Sequence, residues 1–137
     1  RKDYSSILIK TFENPFINIV GHLGNPRYPI DYSIVVKEAI RHGKVIEINN
    51  SSFQISRKGS FENCKTIARE VMKQGGFVVV NSDAHYCEEV GDYQMAINLL
   101  ESIHFPEEQI INASENRLQF FMDSFLKIRG RALCLQS

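Results

Sequence analysis

Apolar and polar positions along the chain follow two periods in turn. Short apolar runs at residues 16–20, 45–49 and from Phe77 to Val80 read as strands, and the segments between them carry apolar residues at helical spacing. Residues 3–12 read as the end of a helix closed by Asn14-Pro15, and residues 21–29 as a loop punctuated by Pro26 and Pro29. Asp31 predicts the N-cap of a helix running to about His42, with Ile30 and Val35 at the positions of a hydrophobic staple and Gly43 at the exit. In the second strand Ile46 and Ile48 share one face, whereas Glu47 and Asn49 share the other, which predicts that the polar face looks into a site. A loop over residues 51–59 follows, then a helix with Ser60 as its N-cap. Cys64, Ile67, Ala68, Val71 and Met72 fall on one face of it, and Gly75-Gly76 ends it. The third strand starts at Phe77. Residues 93–103 place Ala96, Ile97, Leu100 and Ile103 at helical spacing. A short strand at Ile110-Ile111 and a helix from Ser114, with Leu118, Phe121, Met122 and Phe125, complete the pattern.

Strand and helix patterns that alternate in this way predict an α/β fold of stacked parallel βα units, with residues 1–137 forming a single domain free of repeats and linkers. The length and the 43% hydrophobic content suffice for a packed core. Sixteen basic and sixteen acidic side chains cancel and are dispersed, so neither a nucleic-acid face nor a polybasic membrane patch is expected, and the expected partner is a small molecule. Cys64, Cys87 and Cys134 show no paired spacing, which predicts reduced thiols in a cytoplasmic protein, with Cys87 read as buried and inert. No apolar run approaches the roughly 20 residues that span a bilayer, and no charged-then-apolar leader pattern precedes the first strand. The chain opens at Arg1-Lys2-Asp3, which predicts a piece of something longer.

Chemistry concentrates where the three strands end. Asn81-Ser82-Asp83-Ala84-His85 follows the third apolar run and sets a carboxylate and an imidazole two residues apart, on the same side of an extended backbone. A hard oxygen ligand beside a nitrogen ligand suits a divalent ion. His22 follows the first strand, and Asn49 and Asn50 end the second. In parallel α/β folds the carboxyl ends of the strands are where sites form. Taken singly, Asp83 reads as a cap and His85 or His22 as a loop histidine; together the three strand ends favour one metal site. Glu47, a carboxylate within a strand, reads as a partner that orients an imidazole, and Asn49 accompanies it. His42 and His104 lie at helix ends and are given no role. In Ser56-Arg57-Lys58-Gly59-Ser60 two cations stand before a helix N-terminus, a natural phosphate cradle against a plain solvated turn. No glycine-rich nucleotide fingerprint or nucleophile elbow is present.

Gly21-His22-Leu23-Gly24-Asn25-Pro26, Glu47-Ile48-Asn49-Asn50-Ser51-Ser52-Phe53, Ser56-Arg57-Lys58-Gly59-Ser60 and Asn81-Ser82-Asp83-Ala84-His85 together resemble the later motifs of the PHP (polymerase and histidinol phosphatase) superfamily, most closely its small bacterial stand-alone phosphatases. The likeness covers nearly the whole chain. It implies the carboxyl-terminal portion of a distorted TIM-like barrel of seven βα units, with a site of up to three zinc or manganese ions. It also implies hydrolysis of phosphate esters by a metal-activated water. Carried over residue by residue, it makes His22, Asp83 and His85 metal ligands and Asp83 and Arg57 catalytic. Arg57, Lys58, Ser60 and Asn50 then fall on the substrate side. The family's amino-terminal His-x-His, further histidines and bridging glutamate have no counterpart here, so this chain is expected to hold fewer ions and, alone, to show very weak or no turnover. The competing expectation is a non-catalytic remnant or an oligomeric module paired through open sheet edges. A third is a metal-dependent hydrolase of an unphosphorylated substrate.

Overall fold

The computed structural model describes residues 3–53 and 59–134, with side-chain surroundings through residue 126. Among the described residues it is a mixed α/β fold: α1 (Ser5–Thr11), β1 (Ile19–Val20), α2 (Tyr32–Arg41), β2 (Val45–Asn49), α3 (Ser60–Lys73), β3 (Val78–Asn81), α4 (Gln94–Glu101) and α5 (Glu115–Cys134). The strands form one parallel sheet in the order β1-β2-β3, with Ile19 opposite Val45, Val20 opposite Ile46, Ile46 opposite Val78 and Asn49 opposite Asn81. Three βα units in series are what the alternating pattern predicts, and no described helix is long and apolar enough to cross a membrane.

Local chemistry fixes the helix ends. The Asp31 carboxylate accepts the Ile34 N–H at 3.0 Å, which satisfies one of the orphan donors of α2 and is worth about 1 kcal/mol. The exit of α2 is a Schellman-type closure: the Lys44 N–H reaches the Ala39 carbonyl at 2.8 Å, and Gly43 takes the left-handed φ of 65° that this closure needs. At α3 the structure corrects the sequence reading. The N-cap is Gly59, at φ 96°, and Ser60 is the first helical residue, wholly buried. A left-handed entry excludes the extended geometry in which a serine hydroxyl caps, so glycine takes that place.

The two faces of the sheet differ. One packs Val20, Ile46, Ile48, Val78 and Val80 against α2, α3 and α4 in the main core. The other carries Val45 and Val79, which Ile111 and, from α5, Phe121 cover, and Glu47, which stands opposite Val79 in the register. Lys44, also buried, points its ammonium back at the carbonyls of Asn14 and Ile17, at 2.9 and 2.8 Å, and burial holds its pKa below the usual lysine value.

Two further expectations are revised. Ile110 and Ile111 do not form a strand: Ile110 makes one parallel bridge to Val78, and Ile111 opens a 3-10 turn, Ile111–Ala113. On α5, Phe121 and Phe125 stack edge-to-face at 4.2 Å, but Leu118 and Met122 stay exposed, because the helix meets the sheet through Phe121 only at the lower end of that face.

Candidate metal centre at the strand ends

Leaving β1, the chain passes Gly21 and turns at His22, whose φ is 53°; leaving β3, it turns at Asp83, whose φ is 55°. A left-handed backbone is uncommon for a non-glycine residue and is stored where surroundings enforce it, often at functional sites. The enforcement at His22 is visible. The Glu47 carboxylate Oε2 accepts the His22 backbone N–H at 3.1 Å, and a Cβ on Gly21 would stand 3.2 Å from that same oxygen. Glu47 Oε1 accepts from Asn81 Nδ2 at 2.9 Å, and Asn49 Nδ2 lies 3.4 Å from Oε2. A carboxylate 12% exposed thus gathers three donors, as burial of a charge requires.

This turn brings side chains from distant strands together. The His22 Nε2 lies 3.8 Å from Asp83 Oδ2, and its Nδ1 lies 3.9 Å from Glu47 Oε2. His85 sits on the same loop as Asp83 with its Nδ1 2.7 Å from the Asp83 carbonyl and its backbone N–H donating to Glu89 at 2.9 Å. A carbonyl oxygen only accepts, so Nδ1 carries the proton and, in the neutral ring, Nε2 keeps the lone pair that a metal would take. Ser51 ties the loops together by donating its hydroxyl to the Ser82 carbonyl at 2.9 Å.

Asn50 is buried, and its Oδ1 accepts the Ala96 N–H at 2.9 Å, so it anchors the first turn of α4. Asn49, also buried, accepts the Ser52 N–H at 3.0 Å in addition to facing Glu47. The Ser60 hydroxyl is buried and has no hydrogen-bond partner among the described residues. Arg57 and Lys58 lie outside the described residues. Cys87, expected buried, is exposed on a 3-10 turn, Cys87–Glu89, because the loop that carries His85 runs over the surface. Cys64 is the buried thiol: desolvation first, and the Glu47 charge second, push its pKa up to about 12.

Sequence reading missed Gly21, Ser51 and Asn81. Asn81 was accessible in principle, since it has the same strand parity as Val79, which stands opposite Glu47 in the register.

His22 and Asp83 fit a divalent ion as a donor pair, an imidazole nitrogen and a carboxylate oxygen under 4 Å apart. Among the described residues no group of three or more His, Cys, Asp or Glu side chains is gathered closely enough to hold one. Beside His22 opens a groove of about 310 Å³, lined by Ile7, Leu8, Leu23, Tyr28 and Gly21.

No protein-family model matches the chain. Among curated proteins, it is 47% identical over 123 residues to a protein of Caldanaerobacter subterraneus named "probable phosphatase", covering 90% of this chain and 48% of that one. A "probable phosphatase" of Clostridium botulinum is 42% identical over 130 residues, 95% of this chain and 51% of the relative. The "probable phosphatase YcdX" of Escherichia coli is 42% identical over 117 residues, 85% and 48% respectively. The chain therefore spans about half the length of the curated relatives it matches.

Proposed function

We propose that this chain is the carboxyl-terminal portion of a PHP-type metal-dependent phosphatase, three βα units of a TIM-like barrel with their share of a metal site. The observation that carries the reading is the convergence of His22 and Asp83, each in a left-handed turn after its strand, with Nε2 and Oδ2 3.8 Å apart. The printed names of the relatives supply the reaction class, phosphate-ester hydrolysis.

In this reading His22, Asp83 and His85 hold zinc or manganese. When bound, such ions supply Lewis acidity, lower the pKa of water and neutralise charge on a phosphoryl group. The chain's own residues prepare that chemistry. Glu47 fixes the backbone of His22, and the Asp83 carbonyl fixes the tautomer of His85. In the sequence Arg57 and Lys58 come just before Ser60, the first residue of α3, and a helix N-terminus favours anions. Asp83 also stands as acceptor for a substrate or water proton. A zinc site needs about four ligands, so the set in this chain is incomplete and turnover by it alone is very weak or absent.

Zinc titration of the 137-residue chain by calorimetry tests this. Uptake that falls at least tenfold in both His22→Ala and Asp83→Asn is the expected result. Uptake indifferent to both changes rejects His22 and Asp83 as ligands, and no uptake at all rejects a metal site held by this chain alone and favours the non-catalytic remnant. In the enzyme completed by its other half, Arg57→Ala should cripple hydrolysis of an aryl phosphate and spare a neutral ester. Equal losses on both would remove the phosphate assignment.

A further inference from the structure

The two edges of the sheet are finished differently. At β3 the outer edge is closed: Ile110 bridges Val78, and the Asn112 side-chain amide takes both backbone groups of Val80, accepting its N–H at 3.0 Å and donating to its carbonyl at 2.6 Å. At β1 nothing comparable is found among the described residues, where β1 pairs with β2 alone. The Asn18 carbonyl accepts the Val45 N–H at 3.0 Å, so in a parallel ladder Asn18 and Val20 turn their backbone groups towards β2. Ile19, between them, turns its N–H and carbonyl to the open side, and its side chain is 41% exposed.

The helices say what belongs there. α1 packs on α2, α2 on α3 and α3 on α4, in one row on the main-core face of the sheet. In that row α2 connects β1 to β2 and α3 connects β2 to β3. α1 holds the position of the crossover helix leading into β1. Parallel crossovers are right-handed, so the strand that feeds such a helix lies alongside β1, on the edge away from β2. The 310 Å³ groove opens between α1 and the loop that follows β1, next to the carboxyl end of that strand, and Ile7, 60% exposed, lines it.

We propose that the β1 edge and the α1 groove form an acceptor for a parallel β-strand, supplied by polypeptide of the kind that makes up the half of the relatives this chain does not match. The acceptor takes that strand even when it arrives on a separate chain. The inference rests on the barrel reading above. Parallel pairing would set the carboxyl end of the incoming strand beside His22, where the donor set of this chain falls short of the roughly four ligands of a zinc site.

The chain is co-expressed with the segment of the Caldanaerobacter relative that precedes the match. Light scattering should then give a one-to-one complex, with the Ile19 amide protected from hydrogen exchange at least tenfold more than in the chain alone. Ile7→Glu should weaken the complex at least tenfold without changing the melting temperature of the isolated chain, because Ile7 is exposed there. Should the added segment prove insoluble, a single-chain fusion of it to Arg1 is read by Ile19 protection instead. The proposal is overturned by soluble partners that do not associate, by a complex indifferent to Ile7→Glu, or by an Ile19 amide that exchanges equally fast with and without the segment. A homodimer that already protects Ile19 also overturns it. A complex that forms but lacks phosphatase activity rejects the functional reading and leaves the acceptor standing.

Discussion

The Glu47 carboxylate holds the backbone of His22, not its ring: Oε2 accepts the His22 N–H at 3.1 Å while the nearer ring nitrogen stays 3.9 Å away. Glu47 therefore acts on the site by setting the left-handed turn that aims the imidazole at Asp83. On the proposed metal reading, Glu47→Ala should lower zinc affinity about 10- to 100-fold, the usual cost of losing a residue that orients a metal ligand. Glu47→Gln should do less harm. Its amide oxygen still accepts the His22 N–H, and the Asn81 amide can rotate to present its oxygen to the new NH2. Calorimetric titration of both variants checks this, and equal losses would mean that the charge, not the hydrogen bond, is what matters.

Gly24 is the contact point between the first loop and α3. A Cβ there would meet the Cys64 sulfur at 2.5 Å and the Cys64 nitrogen at 3.2 Å. Gly24→Ala should cost about 1–3 kcal/mol, the range for overpacking a close contact. Shortening the partner by Cys64→Ala should restore part of it, since the sulfur clash goes and the backbone clash stays. Urea unfolding of the two single variants and the double variant gives the coupling directly; additive losses would show that the sulfur is not the obstacle.

The regular parts of the fold were legible because local chemistry decided them. Asp31 and Gly43 bracket α2, and the alternation of Ile46 and Ile48 with Glu47 and Asn49 assigned both faces of β2. At the strand ends the pattern singled out His22 and Asp83, 61 residues apart by subtraction of their numbers, and the fold sets Nε2 and Oδ2 3.8 Å apart. What escaped depended on tertiary packing. Ser60 looks like a cap until the left-handed Gly59 precedes it, and nothing in the sequence tells that Asn50 Oδ1 accepts the Ala96 N–H in the first turn of α4. His104 gave no signal of its own, yet its φ of 52° lets the Phe105 N–H close α4 on the Leu100 carbonyl at 3.0 Å. No sequence rule says that a side-chain amide will stand in for a strand, as Asn112 does.

That substitution can be tested. Asn112 satisfies the N–H and the carbonyl of Val80, a residue 4% exposed, so Asn112→Ala leaves two backbone groups without a partner and should cost about 1–3 kcal/mol. Asn112→Asp should be at least as damaging, because one carboxylate oxygen would face the Val80 carbonyl where a donor is required. Chemical denaturation checks the order. If Asp were better tolerated than Ala, the amide would not be bonding both groups.

The buried thiol of Cys64 links stability to alkaline pH. Burial, and then the Glu47 charge, raise its pKa from 9.0 to about 12 on folding. Between those values the unfolded chain has given up a proton that the folded chain keeps. The stabilisation is thus complete below pH 9 and lost as pH climbs towards 12, with a slope approaching about 1.4 kcal/mol per pH unit. Lys44 works the other way, since burial lowers its pKa and stability from it is gained as pH rises towards 10.5. Lys44 is common to the wild-type chain and to Cys64→Ala, so the difference in unfolding free energy between them isolates the thiol. That difference should stay constant up to pH 9 and then move steadily in favour of the variant; a difference that is flat to pH 10.5 would mean that Cys64 ionises in the folded chain as easily as in the unfolded one.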